Sequence, residues 1–258
     1  MPRYSIADLC VSNDELLYYY DVAKKIQNID MSWFGDGDLD KIFSVMLVNR
    51  DRFPGVVVSG ENNPQFYLER WVKGYCDAMN CLPSRRIATP KTSCTDPAIR
   101  IIVQHTQQCS DEAAANGEYI HNLFMSAENV QGNLLEEYIA ANVRPYGFLW
   151  CNGNIMRAVD FCDTSGSVFL QIKNKNNTEN SSSSNIREGT TIKKWYRLGT
   201  KTESGLKKPV FKWMDLNDII NSNKTEGFTL PPCYMNEKAY NQFLINVASW
   251  NSNIINGI

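Results

Sequence analysis

The segment that decides the fold is NGNIMRAVDFCDTSGSVFLQIKNK, residues 152–175. Asn152-Gly153-Asn154 is turn chemistry. Two strand candidates follow, IMRAVDFC (155–162) and VFLQIKNK (168–175), rich in the branched and aromatic residues that suit a pleated, half-buried surface. The link between them, Asp163-Thr164-Ser165-Gly166-Ser167, reads as a hairpin connection. If residues 164–167 form a four-residue loop closed by Asp163 and Val168, antiparallel pairing sets Asp160 directly opposite Gln171. Opposed residues share a face with Cβ atoms roughly 5 Å apart, and Lys173, two positions beyond Gln171, lies on that face as well. A one-residue slip would turn Gln171 and Lys173 to the other side.

A carboxylate, an amide oxygen and an ammonium gathered on apolar strands must be paired or must bind something, because uncompensated desolvation is costly. Mg²⁺ is the natural occupant. It takes hard oxygen ligands, here the Asp160 carboxylate, the Gln171 side-chain oxygen and the Ile172 backbone carbonyl, and keeps several waters. Such an ion lowers the pKa of water and stabilises charge on an attacked phosphate. Lys173 can orient the attacking water or neutralise the developing pentacovalent centre.

Upstream, Ser126 with Asn129 begins a helix through Val130, Leu134, Leu135, Tyr138 and Ile139 that ends before Pro145 and Gly147. It carries Glu136 and Glu137, and the apolar stripe flanks both without choosing between them. Gly132, four residues before Glu136, has no side chain and would let this helix approach the hairpin closely. Downstream lies NNTENSSSSN (176–185), a polar low-complexity stretch that cannot bury enough surface to order itself. Between residues 157 and 212 there are eleven Lys and Arg against five Asp and Glu, a local charge of +6 in a chain whose total is -2. That asymmetry favours a polyanionic partner for this segment, although the whole molecule is no polycation.

The first half reads as helices. Ser12 or Asn13 can cap a segment through Leu16, Tyr20, Ala23 and Ile26, and Asp38 another carrying Ile42, Phe43 and Met46. Further helices are expected over about 65–79 and 96–108. The aromatics here, Trp33, Phe66, Tyr67 and Trp71, read as core. With 258 residues and 43% hydrophobic content, one good core or two small ones can form. No run of apolar residues is long enough to span a bilayer, and MPRYSIADLC lacks a signal-peptide pattern, so a soluble cytoplasmic protein is expected. Eight cysteines with no C-x-x-C pair argue for reduced thiols. Cys76, Cys81, Cys94, His105 and Cys109 could close a zinc site in principle, but their spacing fits no common module and buried hydrophobe is the expected role.

Gly132-x-x-x-Glu136, then Val159-Asp160, then Gln171-Ile172-Lys173 resembles the active-site series of the PD-(D/E)xK nuclease superfamily. The continuation QIKNKNNTENSSSSNIREGTTIKKWYR is similar to type II restriction endonucleases, most closely the SinI type, which recognises GG(A/T)CC. The likeness covers residues 126–213. It implies an α/β (α+β) restriction-endonuclease-like core, a mixed central sheet flanked by helices, with a helical N-terminal region. It also implies Mg²⁺-dependent hydrolysis of double-stranded DNA to 5′-phosphate and 3′-hydroxyl ends, a homodimer on a near-palindromic site, and a place in a bacterial or archaeal restriction-modification system. The domain division expected is 1–122 for the helical region and 123–258 for the catalytic core, forming one compact unit.

Carried over position by position, Asp160 is the metal-binding aspartate, Lys173 the catalytic lysine and Glu136 the helix glutamate, preferred over Glu137 by the family pattern. Gln171 stands where the pattern usually has Glu or Asp. A neutral amide there removes one negative charge and should weaken Mg²⁺ binding, though glutamine does occur in some members. Arg187 is the candidate for bidentate hydrogen bonds to guanine, with Asn180, Ser181, Ser182, Ser183, Ser184 and Asn185 as adaptable groove contacts. Lys193, Lys194, Arg197, Lys201, Lys207, Lys208 and Lys212 would contact phosphates, while Trp195 and Tyr196 pack beneath them. Two rivals share parts of this reading: a structure-specific repair or recombination nuclease, and a DNA-binding protein on a decayed nuclease scaffold.

Overall fold

The computed structural model describes residues 3–4, 6, 10–27, 37–57, 63–88, 97–175, 189–223 and 229–255. In chain order these form β1 (Arg3–Tyr4), α1 (Asn13–Ile26), α2 (Asp38–Val48), β2 (Val56–Val57), α3 (Pro64–Asn80), α4 (Pro97–Gln107) and α5 (Asp111–Val143). There follow β3 (Phe148–Trp150), β4 (Phe161–Asp163), β5 (Phe169–Lys175), β6 (Lys193–Glu203), β7 (Leu206–Phe211), α6 (Trp213–Ser222) and α7 (Glu237–Trp250). They divide into two compact units, Met1–Leu82 with Tyr138–Glu237, and Pro83–Glu137 with Lys238–Ile258. Among the described residues no helix is long and apolar enough to cross a membrane.

The first unit is built on a five-stranded sheet in the order β3-β4-β5-β6-β7. Its pairs are antiparallel except β5 with β6, so the sheet is mixed, as expected for a restriction-endonuclease-like core. Its N-terminal helices start where local chemistry directs. Ser12 and Glu15 form a reciprocal capping box at α1, and the Asn63 side chain accepts from the Gln65 N–H at 2.8 Å with Pro64 opening α3. Asp38 is the first residue of α2 rather than its cap; Gly37, at φ 74°, precedes it. Leu16, Phe43 and Trp71 from the helices share one buried cluster with Leu149, Cys162 and Phe169 from the sheet. Tyr20 stacks on Phe43 with centroids 4.0 Å apart. Tyr67 and Trp71 are core, as read from sequence, whereas Phe66 lies exposed; Trp33 lies outside the described residues.

Only the last two residues of the first strand candidate, Phe161 and Cys162, enter the ladder, and Asp163 of the expected link extends the strand. Residues 155–160 form turns instead, held by the Trp71 indole N–H, which donates to the Ile155 carbonyl at 2.7 Å, and by the Arg157 N–H, which donates to the Arg52 carbonyl at 2.7 Å. The Asn152-Gly153-Asn154 turn is present and packs on α3.

In the second unit, α4 is joined to the start of α5 by Arg100 and Glu118 at 2.9 Å. The helix expected to begin at Ser126 begins at Asp111. Ser126 sits inside it, its hydroxyl donating to the Asn122 carbonyl at 2.9 Å one turn back, so it cannot serve as a cap. A Cβ on Gly132 would meet nothing within 4 Å among the described residues, so no close packing at this position calls for a glycine. No three His, Cys, Asp or Glu side chains gather as a metal centre among the described residues, and Cys94 lies outside them.

Candidate active site

The hairpin of β4 and β5 has the register anticipated from its loop. Phe161 faces Leu170 and Cys162 faces Phe169, and the Asp163 N–H donates to the Val168 carbonyl at 3.1 Å. The Asp163 carboxylate locks the turn by accepting from the Val168 N–H at 2.7 Å and from the Ser165 and Ser167 hydroxyls. These donors hold its carboxyl below the usual range although burial acts in the opposite direction.

Asp160 stands one position before β4. Its N–H donates to the Leu170 carbonyl at 2.8 Å and its own carbonyl accepts the Cys151 N–H at 2.8 Å, so backbone groups from both sides fix it. One carboxylate oxygen, Oδ2, accepts the Ile172 N–H at 2.6 Å. A residue in a strand presents its N–H and C=O to the same side, and the Ile172 carbonyl therefore projects toward the Asp160 side of β5. Burial raises the Asp160 carboxyl above the ordinary range, and the Ile172 N–H and the positive charge of Lys173 oppose that rise.

Along β5, Ile172 is buried while Gln171 is half-buried and Lys173 exposed, so the last two share the open face. The structure thus brings Asp160 together with the Gln171-Ile172-Lys173 segment. The available oxygen donors, one carboxylate, one amide and one backbone carbonyl, suit a hard divalent cation that retains most of its water, Mg²⁺ rather than a soft metal. Loop length carried this arrangement in the sequence. The bracing of Asp160 by Cys151 and Leu170 had no sequence signal, because any residue can supply a backbone group.

Glu137 accepts from both the N–H and the hydroxyl of Ser84, at 2.7 and 2.6 Å, and so ties α5 to the turn at Pro83–Arg85. Glu136, one residue earlier, is half-buried. Both belong to the second unit.

Asn180, Ser181, Ser182, Ser183, Ser184, Asn185 and Arg187 lie outside the described residues. Lys193 is exposed and Lys194 half-buried, and with Trp195, Tyr196, Lys212 and Asp215 they line a shallow cleft of about 330 Å³. Trp195 and Tyr196 are buried, as expected. Arg197 is buried too: its guanidinium pairs with Glu237 and donates to Asn174 at 2.9 Å, so its charge is engaged within the unit.

The family model of the SinI restriction endonuclease matches residues 68–224. Among curated proteins, the type II restriction enzyme Eco47I of Escherichia coli is 34% identical over 165 residues, covering 62% of this chain and 65% of that protein. The type II restriction enzyme SinI of Salmonella infantis is 40% identical over 138 residues, covering 52% of this chain and 57% of that protein. The matched region thus spans less than two thirds of either relative. Asp160, Gln171, Lys173 and Glu136 all fall inside the family match.

Proposed function

The chain belongs to the SinI restriction endonuclease family, and from that premise we propose that it is a type II site-specific deoxyribonuclease cutting double-stranded DNA with Mg²⁺. The recognition sequence proposed is GG(A/T)CC or a related short palindrome, read by a homodimer. Asp160, the Gln171 amide oxygen and the Ile172 carbonyl would hold the ion. When bound, it supplies Lewis-acid charge against the attacked phosphate. Water attacks phosphorus, the 3′ oxygen leaves, and the products are a 5′-phosphate and a 3′-hydroxyl.

Lys173 acts at the attacked phosphate. Its ammonium, two residues beyond Gln171 on the same open face, orients the water and offsets the charge that develops on the pentacovalent phosphorus. Its field also favours the ionised form of the half-buried Asp160, the form that binds a cation. Glu136 is the further carboxylate that the family pattern assigns, and its role is part of this proposal. Lys193 and Lys194 would hold phosphates, positioning the duplex without choosing its sequence. The observation that carries this reading is the Asp160 carboxylate held at the Ile172 N–H in the register that puts Lys173 on the open face.

Incubation with Mg²⁺ and a plasmid of known sequence, followed by sequencing of the fragment ends, should give discrete cuts at one short motif. Asp160→Ala should lose cleavage by orders of magnitude yet still bind DNA, because phosphate contacts supply most of the affinity. A smear, or a requirement for branched substrates, would replace restriction with structure-specific nuclease activity. Absence of wild-type cleavage in Mg²⁺ would reduce the protein to a DNA binder.

A further inference from the structure

The sheet does not end where its last three-strand row ends. Among the described residues, pairing between β5 and β6 ends at Lys175 opposite Leu198, while β6 runs on to Glu203 with β7 alone beside it. Residues 199–210 therefore form a two-stranded arm, closed by a tight turn in which Ser204 and Gly205 both have positive φ (52° and 79°), the conformation a two-residue hairpin demands. β7 is exposed along its whole length, and Leu206 at its start is 67% exposed. Two-stranded hairpins in water are marginal on their own. Among the described residues its anchors lie at its root, where Arg197 is held by Glu237 and sits over the Phe211 ring at 5.3 Å, and the Trp195 indole donates to the Lys212 carbonyl at 2.8 Å.

Register shows what each face carries. Paired residues share a face, and Gln171 pairs with Lys194, Lys173 with Tyr196, and Lys175 with Leu198. Continued along β6, the open face that bears Gln171 and Lys173 also bears Thr200 and Thr202. Across the arm it takes in Lys207, the partner of Thr202. The opposite face holds Lys201 and Lys208, with Lys208 ion-paired to Glu203 at 2.8 Å, so these two are set apart from the phosphate contacts expected of the basic run. Three lysines against one glutamate give the arm a net positive charge.

We propose that this arm lies in the major groove of the duplex with the Thr200, Thr202 and Lys207 face toward the DNA, as a specificity element continuous with the catalytic face. The proposal rests on the DNA-cleaving function above. Strands about 4.8 Å apart make a ribbon narrow enough for a groove about 12 Å wide. The twist of such a ribbon lets it follow the groove. At roughly 3.4 Å per residue, Thr200 and Thr202 stand about 14 and 20 Å along β6 from Tyr196, the partner of Lys173. With one nucleotide per about 3.4 Å of strand, they reach about four to six base pairs from the scissile phosphate. Thr hydroxyls and a Lys ammonium can hydrogen-bond base edges there.

Lys207 and Lys208 provide the test, since they are adjacent, equally charged and on opposite faces. Affinity for a short duplex carrying the wild-type cut site would be measured by fluorescence anisotropy across a salt series, with Ca²⁺ in place of Mg²⁺. Lys207→Ala should weaken binding several-fold and reduce the slope of log affinity against log salt by about one, whereas Lys208→Ala should leave the slope near wild type. Thr200→Val with Thr202→Val, which alters no charge, should relax base preference about four to six base pairs from the cut while the cut position stays fixed. Both substitutions are on exposed residues, and circular dichroism would verify folding. If the wild type cuts DNA and Lys207→Ala matches it in slope, or Lys208→Ala has the larger effect, the arm assignment fails and the function stands. If the wild type neither binds nor cuts DNA, both fall together.

Discussion

At the scale of single residues, two aspartates three positions apart meet opposite fates. Asp160 is half-buried, and desolvation pushes its carboxyl up against one N–H donor and the field of Lys173; Asp163 is buried but gathers enough donors that its carboxyl is held down. The first environment suits a group that must exchange its partner for a cation. The second suits a lock on a turn. Asp163→Ala should cost about 2–3 kcal/mol at neutral pH, because the Val168 N–H and two hydroxyls lose a charged acceptor. A depressed folded pKa means that this stabilisation is fully present above the unfolded value of about 3.9 and is lost as pH falls through the lower folded value. Urea denaturation of both proteins should therefore show a constant gap near neutrality that narrows in acid. A gap independent of pH would mean that the carboxylate's charge contributes nothing.

Among elements, the turn at Asn152-Gly153-Asn154 and helix α3 are coupled more tightly than either pattern suggests. Gly153 has φ 82°, and a Cβ on it would lie 2.6 Å from the Gly74 carbonyl oxygen, a backbone atom that cannot swing aside. Gly153→Ala should destabilise the protein by about 2–4 kcal/mol, since steric overlap adds to the strain of a left-handed alanine. An unchanged denaturation midpoint would show that α3 yields. Element identity was largely readable: α1, α3 and α4 lie within a residue or two of their sequence-based limits because caps and apolar periodicity are local signals. The start of α5 was not, since an interior Ser126 bonding back to Asn122 has the same sequence appearance as a cap. Nor was the loss of residues 155–160 from the ladder, which depends on acceptors at Arg52 and a donor at Trp71.

For the whole molecule, a near-palindromic target calls for two symmetry-related copies, each placing one catalytic cluster on one strand. Light scattering should give about twice the 29.4 kDa chain mass, free or on a cognate duplex. A single chain mass in both states would exclude the homodimer and require one cluster to cut the two strands in turn. Mean composition offered no guide here, because the chain's charge of -2 hides a segment of +6.

What consecutive residues fixed was local: a loop closed by Asp163 and Val168 sets the pairing of Phe161 with Leu170 and Cys162 with Phe169, which brings Asp160 to the end of the ladder beside the Gln171-Ile172-Lys173 segment, where backbone groups of Cys151, Leu170 and Ile172 hold it. Loop closure acts over a few residues, so its outcome is written in consecutive letters. Tertiary structure decided which groups those residues would meet. Arg197 reads as one more basic residue in a basic run, yet packing carries it to Glu237, forty positions away, and buries it. Glu137 reads as one more helix charge, yet packing brings it to the N–H and hydroxyl of Ser84, fifty-three positions away. Such choices depend on which surfaces come together when the chain buries its apolar area, a collective outcome that no short window of sequence contains.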